Sequence, residues 1–156
     1  MKKPKRCLKL NSLPFDISSH PSRELTAVSN IEGEIIFLSL HDDISKLDTI
    51  THHTDSCRRI LFTDSSLLSI SSDKSFVVCD IETKKVQKKY ADAHENPLYA
   101  LCEVREGKVF ATGDDEGVNI CNLSKYLYLF NLMYFLLSKF SNIFIEFEDA
   151  LKFKYE

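Results

Sequence analysis

Two short segments of the sequence concentrate side chains that could carry out chemistry. The first contains His52, His53 and Cys57, with Asp55 between them. Imidazole and thiolate groups bind zinc, and a Cys–His pair can act as an activated nucleophile. The spacing matches no zinc pattern, however, and no second ligand pair follows it. We therefore expect neither a metal site nor a catalytic pair at this segment.

The second segment is Asp114-Asp115-Glu116-Gly117, which concentrates carboxylates as a calcium-binding loop does. An EF-hand loop has acidic residues at alternating positions and a closing glutamate, and neither feature is present. The sequence has only four glycines, and it contains neither a glycine-rich phosphate loop nor a G-x-S-x-G motif. We interpret the segment as a hairpin turn and expect no catalytic residue, no cofactor and no metal ion.

The composition favours an intracellular globular protein. The 156 residues carry a formal net charge of −3, which argues against nucleic-acid binding through a strong overall positive field. The five cysteines are spread out and form no C-x-x-C pair, as expected in a reducing compartment. The basic N-terminal segment, residues 1–9, has two interpretations. It is a nuclear or nucleolar address, or it is a solvated end of the chain.

An internal repeat organises most of the chain. The segments 25–40, 67–82 and 109–124 align without gaps at an offset of 42 residues. Each segment predicts two short strands joined by a tight turn. A further strand is predicted before each hairpin, at residues 13–17, 57–62 and 98–102, and a more polar segment follows it. Four strands in about 42 residues is the period of a β-propeller blade, so the sequence predicts an all-β partial propeller of three four-stranded antiparallel blades.

The clearest of the polar fourth segments, residues 82–90, contains four lysines: Lys84, Lys85, Lys88 and Lys89. Lysines of this kind protect the exposed edge strand of a sheet from pairing with other chains. They could also contact RNA phosphates, although no aromatic residues interleave with them to stack on bases. Both interpretations are consistent with the sequence.

The repeat resembles the WD-repeat family. Each blade of that family contains a hydrogen-bonded set: a His before the first strand, a Ser or Thr, an Asp in the hairpin turn and a Trp six residues later. The second unit matches with His53, Ser71 and Asp73, followed by Cys79-Asp80 where the family has Trp-Asp. The third unit has His94, Gly113, Asp115 and Cys121-Asn122, and the first has Ser29, Ile31 and Phe37-Leu38. The Trp is missing from all three units, because the protein contains no Trp.

The resemblance extends from about residue 10 to residue 123 and carries functional implications. The segments 53–58, 72–74, 93–101 and 109–117 look like the early blades of a nucleolar branch of the family. That branch is associated with ribosomal RNA processing and ribosome production. The resemblance therefore implies a non-enzymatic scaffold that binds other proteins, among them pre-ribosomal factors. It implies a location in the nucleus and nucleolus, and leaves the cytoplasm open as a further location. It also implies that His53, Ser71, Asp73, His94 and Asp115 are structural hydrogen-bond positions.

The blade pattern stops at residue 124, and the remaining residues have a different composition. Residues 124–156 hold ten of the 17 aromatic residues and contain no Gly, Pro, Val or Thr. We expect a helical tail here, either capping the last blade or lying at a membrane. A third interpretation is that a propeller transcript has been read into an intron, which would make the chain a truncated form with an unrelated end.

These observations divide the chain into five segments. They are a basic segment at 1–9, three blades at about 10–45, 46–90 and 91–123, and a tail at 124–156 that is not part of the propeller. The competing functional hypothesis is a small membrane-associated β protein anchored by its C-terminal aromatic helix.

Overall fold

Three antiparallel sheets, one after another along the chain, make up the described structure. The computed structural model describes residues 7–41, 44–105 and 109–122. The first sheet, blade 1, contains β1 (Pro14–Ser19), β2 (Leu25–Asn30), β3 (Glu34–Ser39) and β4 (Ser45–Thr51). Blade 2 contains β5 (Cys57–Phe62), β6 (Ser66–Ser71), β7 (Phe76–Asp80) and β8 (Val86–Tyr90). Blade 3 contains β9 (Ala100–Arg105), β10 (Val109–Gly113) and β11 (Val118–Asn122).

Each blade is a meander in which consecutive strands pair side by side. This confirms the predicted all-β class and antiparallel blades. One boundary differs from the prediction. Blade 1 extends to Thr51, since β4 pairs with β3 through that residue, so the first blade does not end at residue 45. Blade 3 shows three strands within the described part of the chain, and the predicted helical tail, residues 124–156, lies outside it.

The core lies between the blades because successive side chains of a strand point to opposite faces of the sheet. One cluster joins blade 1 to blade 2 and includes Phe37, Phe62 and Leu67. A second joins blade 2 to blade 3 through Phe76, Phe110 and their neighbours. Burying each large apolar side chain contributes roughly 1.5–3 kcal/mol, so these two clusters hold the blades against one another.

The first strands of the blades, β1, β5 and β9, approach each other and form the inner edge of the arrangement. The free edge of β5 would otherwise carry unpaired backbone groups, which favour unwanted strand pairing. Side chains of β1 bind two of them: Asp16 Oδ2 accepts the N–H of Ile60 at 3.0 Å, and Ser18 Oγ accepts the N–H of Phe62 at 3.1 Å. These bonds fix the inner strands of blades 1 and 2 in register.

Candidate functional site

A buried hydrogen-bond chain in blade 2 contains the first candidate residues. Ser75 donates its hydroxyl proton to Asp73 Oδ1 at 2.5 Å, and the same Ser75 oxygen lies 2.9 Å from His53 Nδ1. His53 Nε2 lies 2.8 Å from the Ser69 hydroxyl. Because the Ser75 proton is used by Asp73, we assign the imidazole proton to Nδ1 and let Nε2 accept from Ser69. Every polar atom of the imidazole is thus satisfied.

Ser71, which the sequence placed in this set, has a different partner. Its hydroxyl donates to the Asp55 carbonyl at 3.0 Å and accepts the N–H of Asp73. Ser69, two residues earlier on the same face of β6, lies level with the imidazole instead. Ser69 was not predicted, because Ser69 and Ser71 both lie on the strand that the repeat predicts. Only the position of the His53 ring along β6 decides which serine contacts it.

Burial dominates the protonation of this group. Removal from water lowers the pKa of His53 to about 4, against the opposing attraction of Asp73. For Asp73 itself, burial acts to raise the pKa, but hydrogen bonds from Ser75 and the Thr54 N–H, together with the electrostatic attraction of His53, hold it well below its usual range. The pair is therefore a neutral imidazole beside a carboxylate at neutral pH, and it tethers the loop before β5 to the β6–β7 turn.

Blade 3 repeats this arrangement with a different aspartate. His94 Nδ1 lies 3.1 Å from Asp114 Oδ2, and its Nε2 lies 2.9 Å from the Thr112 hydroxyl. The structure thus pairs His94 with Asp114 in place of the predicted Asp115, which is exposed. The reason is a shorter turn: five residues separate the paired ends Ile70 and Phe76 in blade 2, but four separate Gly113 and Val118 in blade 3. Aligning blades 2 and 3 without a gap, at an offset of 42 residues, therefore predicts Asp115 as the partner of His94 instead of Asp114.

Blade 1 closes its corresponding turn without a histidine. Asn30 Oδ1 accepts the N–H groups of Glu32 and Glu34, and its Nδ2 donates to Glu34 Oε2 at 2.8 Å. Ile31, which the gapless repeat placed at the aspartate position, is exposed. Phe37, at the position of the family Trp, is fully buried and has the Lys84 ammonium 4.0 Å from its ring centroid.

The His–Cys segment does not form a reactive pair. Cys57 is fully buried, and burial raises the pKa of its thiol to about 12, which keeps it protonated at neutral pH. Both ring nitrogens of His53 are occupied by serine hydroxyls. Within residues 7–41, 44–105 and 109–122, no group of three or more His, Cys, Asp or Glu side chains is arranged to hold a metal ion.

The predicted basic edge is partly used by the chain itself. Lys89 Nζ donates to the His52 carbonyl at 2.8 Å, and Lys84 Nζ donates to the Ile81 carbonyl while lying over Phe37. Lys85 and Lys88 are exposed on the outer side of blade 2. Among the described residues, no helix is long and apolar enough to span a membrane.

A partly exposed cluster, which we call the arginine stack, lies where the three inner strands begin: Phe15 and Tyr99 are exposed and Arg58 is half-buried. The Arg58 guanidinium carbon is 4.8 Å from the centroid of the Phe15 ring and 5.3 Å from that of the Tyr99 ring. The three residues come from blades 1, 2 and 3, and both rings are about 40% exposed. Arg58 Nε donates to Ser72 Oγ at 2.8 Å. No sequence pattern marks this cluster, because its members lie far apart along the chain.

Antiparallel meanders packed face to face, each tied by a buried His–Asp pair or an equivalent turn, define blades of a β-propeller. No protein-family model matches the chain. It is similar to a WD repeat-containing protein 55 homolog of Drosophila ananassae, with 36% identity over 139 residues, covering 85% of this chain and 29% of the relative. WD repeat-containing protein 55 of Danio rerio is 34% identical over 115 residues, covering 70% of this chain and 30% of the relative.

These matches confirm the resemblance drawn from the repeat: the chain carries WD-repeat blades related to those of WD repeat-containing protein 55. A homolog from Drosophila erecta agrees, with 37% identity over 123 residues. The chain spans less than a third of the length of these relatives.

Proposed function

We propose that this chain is a non-catalytic scaffold that binds other proteins and acts in the nucleolus during ribosomal RNA processing and ribosome production. Its similarity to WD repeat-containing protein 55 supports the scaffold, since WD-repeat proteins typically bind other proteins. The nucleolar role follows the branch of the family that the blade segments resemble. Pre-ribosomal proteins are the partners we expect.

One observation carries the scaffold function. The histidines that could take part in catalysis are buried, whereas the aromatic rings of the arginine stack are exposed. The side chain of His53 is fully buried, that of His94 is 3% exposed, and both pair with their own aspartates. Both ring nitrogens of each imidazole already contact side chains of the same blade, so neither is available to a substrate in this arrangement. By contrast, Phe15, Arg58 and Tyr99 reach the surface, and Tyr and Arg are among the residue types that dominate binding energy at protein interfaces.

The test is affinity purification of the tagged full chain from cells, together with its location by microscopy. We expect enrichment of pre-ribosomal proteins over a tagged unrelated β-propeller, and nucleolar staining. Recovery of the chain in carbonate-washed membranes, without pre-ribosomal proteins, would support the membrane-anchored hypothesis and overturn the proposal. Treating the extract with ribonuclease before purification separates direct protein contacts from contacts through RNA.

A further inference from the structure

We propose that the arginine stack is a docking site for an acidic segment of a partner protein, with the Arg58 guanidinium receiving an aspartate or glutamate carboxylate. The inference rests on the proposed function as a protein-binding scaffold and names the chemistry of the partner. It is carried by the geometry of Arg58 and its neighbours.

Arg58 is held at its Nε atom and against two rings, and these contacts leave its two terminal nitrogens without a hydrogen-bond partner among the described residues. The rings of Phe15 and Tyr99 lie near the guanidinium, and Ser72 Oγ accepts the bond from Nε. Ser72 is itself fixed by the Ser56 hydroxyl at 2.8 Å. An arginine has five N–H donors, so four on the terminal nitrogens remain. None of them has a hydrogen-bond or ion-pair partner among the described residues.

This arrangement suits a carboxylate. The two terminal nitrogens of a guanidinium form a planar fork that binds both oxygens of a carboxylate at once. The side chain is already ordered by Ser72 and the two rings, so binding costs less conformational entropy than for a free surface arginine.

The strand geometry directs these side chains outward at one place. Arg58 is the extra residue of a β-bulge between the paired positions Cys57 and Arg59, and Phe15 occupies the same kind of bulge between Pro14 and Asp16. A bulge redirects a side chain out of the regular alternation and is frequent beside functional sites. Without the bulges, Phe15 and Arg58 would follow the alternation of their strands.

The next residue, Arg59, differs from Arg58 because it has an ion-pair partner within the chain. Its Nη1 lies 4.0 Å from Asp16 Oδ1, so its charge is already partnered, although its side chain is 57% exposed. Arg59 is therefore a matched control: it has the same residue type and lies next to Arg58 on the same strand, but an aspartate already lies beside its guanidinium.

The carboxylate is favoured over RNA as the ligand. Single-stranded RNA binds mainly by stacking bases on open aromatic faces, and here both rings already contact the guanidinium. The overall charge of −3 also gives no long-range attraction for a polyanion. A short acidic peptide needs only the local fork of Arg58.

The test is fluorescence anisotropy with the full chain at low salt and four labelled probes. These are a peptide of alternating Glu and Gly, its Gln counterpart, a phosphoserine counterpart and a single-stranded RNA. We expect the Glu peptide to bind at least about tenfold more tightly than the Gln peptide, as for a charge-assisted pair. Arg58→Ala should remove most of this difference, Arg58→Lys should restore part of it, and Arg59→Ala should change it less than about twofold. Circular dichroism verifies that each variant is folded.

Equal losses for Arg58→Ala and Arg59→Ala would overturn the proposal, because they would indicate general charge attraction. Tighter binding of RNA or of the phosphoserine peptide than of the Glu peptide, lost in Arg58→Ala, would overturn the carboxylate assignment. The peptide-binding result does not depend on where the chain is located in the cell or on which proteins purify with it. A chain that binds the Glu peptide through Arg58 but purifies without pre-ribosomal proteins contradicts the proposed function alone.

Discussion

The buried imidazole of His53 should make the fold sensitive to mild acid. Its pKa is about 4 in the folded chain and 6.5 when unfolded. Between these two values the unfolded state binds the proton and the folded state does not. The free energy of unfolding therefore falls as the pH is lowered from 6.5 to 4, and the full stabilisation is present above pH 6.5.

The size of the effect follows from the two pKa values. Lowering the pH from 8 to 4 should reduce the free energy of unfolding by about 3 kcal/mol through His53 alone, since a tenfold difference in proton affinity between the folded and unfolded states is worth about 1.4 kcal/mol. A typical domain has about 5–15 kcal/mol of stability, so this loss is a large fraction of it. Asp73 adds a loss in the same direction, but at lower pH, because its pKa is depressed below an ordinary value of 3.8.

The assay is urea denaturation of the full chain at pH 8, 6.5, 5 and 4, followed by far-ultraviolet circular dichroism, because the protein has no Trp for fluorescence. The variant His53→Gln removes the titrating group. It should be less stable at pH 8, because it loses the bonded ring, but should lose much less stability between pH 6.5 and 4. His41→Gln is the control, since that side chain is 74% exposed.

Two results would refute the reasoning. If the wild type and His53→Gln lose equal stability between pH 6.5 and 4, the acid sensitivity does not come from the buried imidazole. If His41→Gln flattens the pH dependence as strongly as His53→Gln does, burial is not its cause. Should His53→Gln fail to fold, the titration of the His53 ring protons by NMR in the wild type replaces it, and a midpoint near 6.5 contradicts the prediction.

Three further predictions test the turns. Asp114→Asn should destabilise the fold by about 1–3 kcal/mol, because it weakens the buried bond to His94. Asp115→Asn should change the stability by less than about 0.5 kcal/mol. If thermal melts gave the opposite order, Asp115 would be the partner of His94. Gly33→Ala should cost more than about 1 kcal/mol, since φ is +81° and a Cβ would lie 2.6 Å from a backbone oxygen; an unchanged melting temperature would contradict that geometry. Lys74→Gly should stabilise by about 1 kcal/mol, since Lys74 has a φ of 67° and an exposed side chain, and a lower urea midpoint would refute this.

The repeat predicted the fold well because its signal is spread over many residues. Apolar residues fill Leu67–Ile70 and Phe76–Cys79 almost without interruption and pack against both neighbouring blades, so an error of one residue in a turn does not change the architecture. The hydrogen-bond partners are less predictable, since each depends on a single position. The four-residue connection of blade 3 moved the partner of His94 from Asp115 to Asp114.

The arginine stack was not predictable from the sequence for a different physical reason. A β-bulge adds one residue without interrupting the apolar pattern, so nothing in the order of residues around Phe15 or Arg58 marks it. The contacts with Tyr99 also require three blades to be packed in place. Such a site becomes visible only when inter-blade packing is known.

The buried and exposed sites of blade 2 are joined by one series of hydrogen bonds between the loop before β5 and the β6–β7 turn. Thr54 N–H binds Asp73, the Asp55 carbonyl accepts from Ser71, and Ser56 and Arg58 both bind the Ser72 hydroxyl. The His–Asp pair lies at one end of this series and the guanidinium of Arg58 at the other. The buried pair therefore stabilises the loop from which Arg58 projects, and this loop sets the direction of the guanidinium that we propose as the docking site.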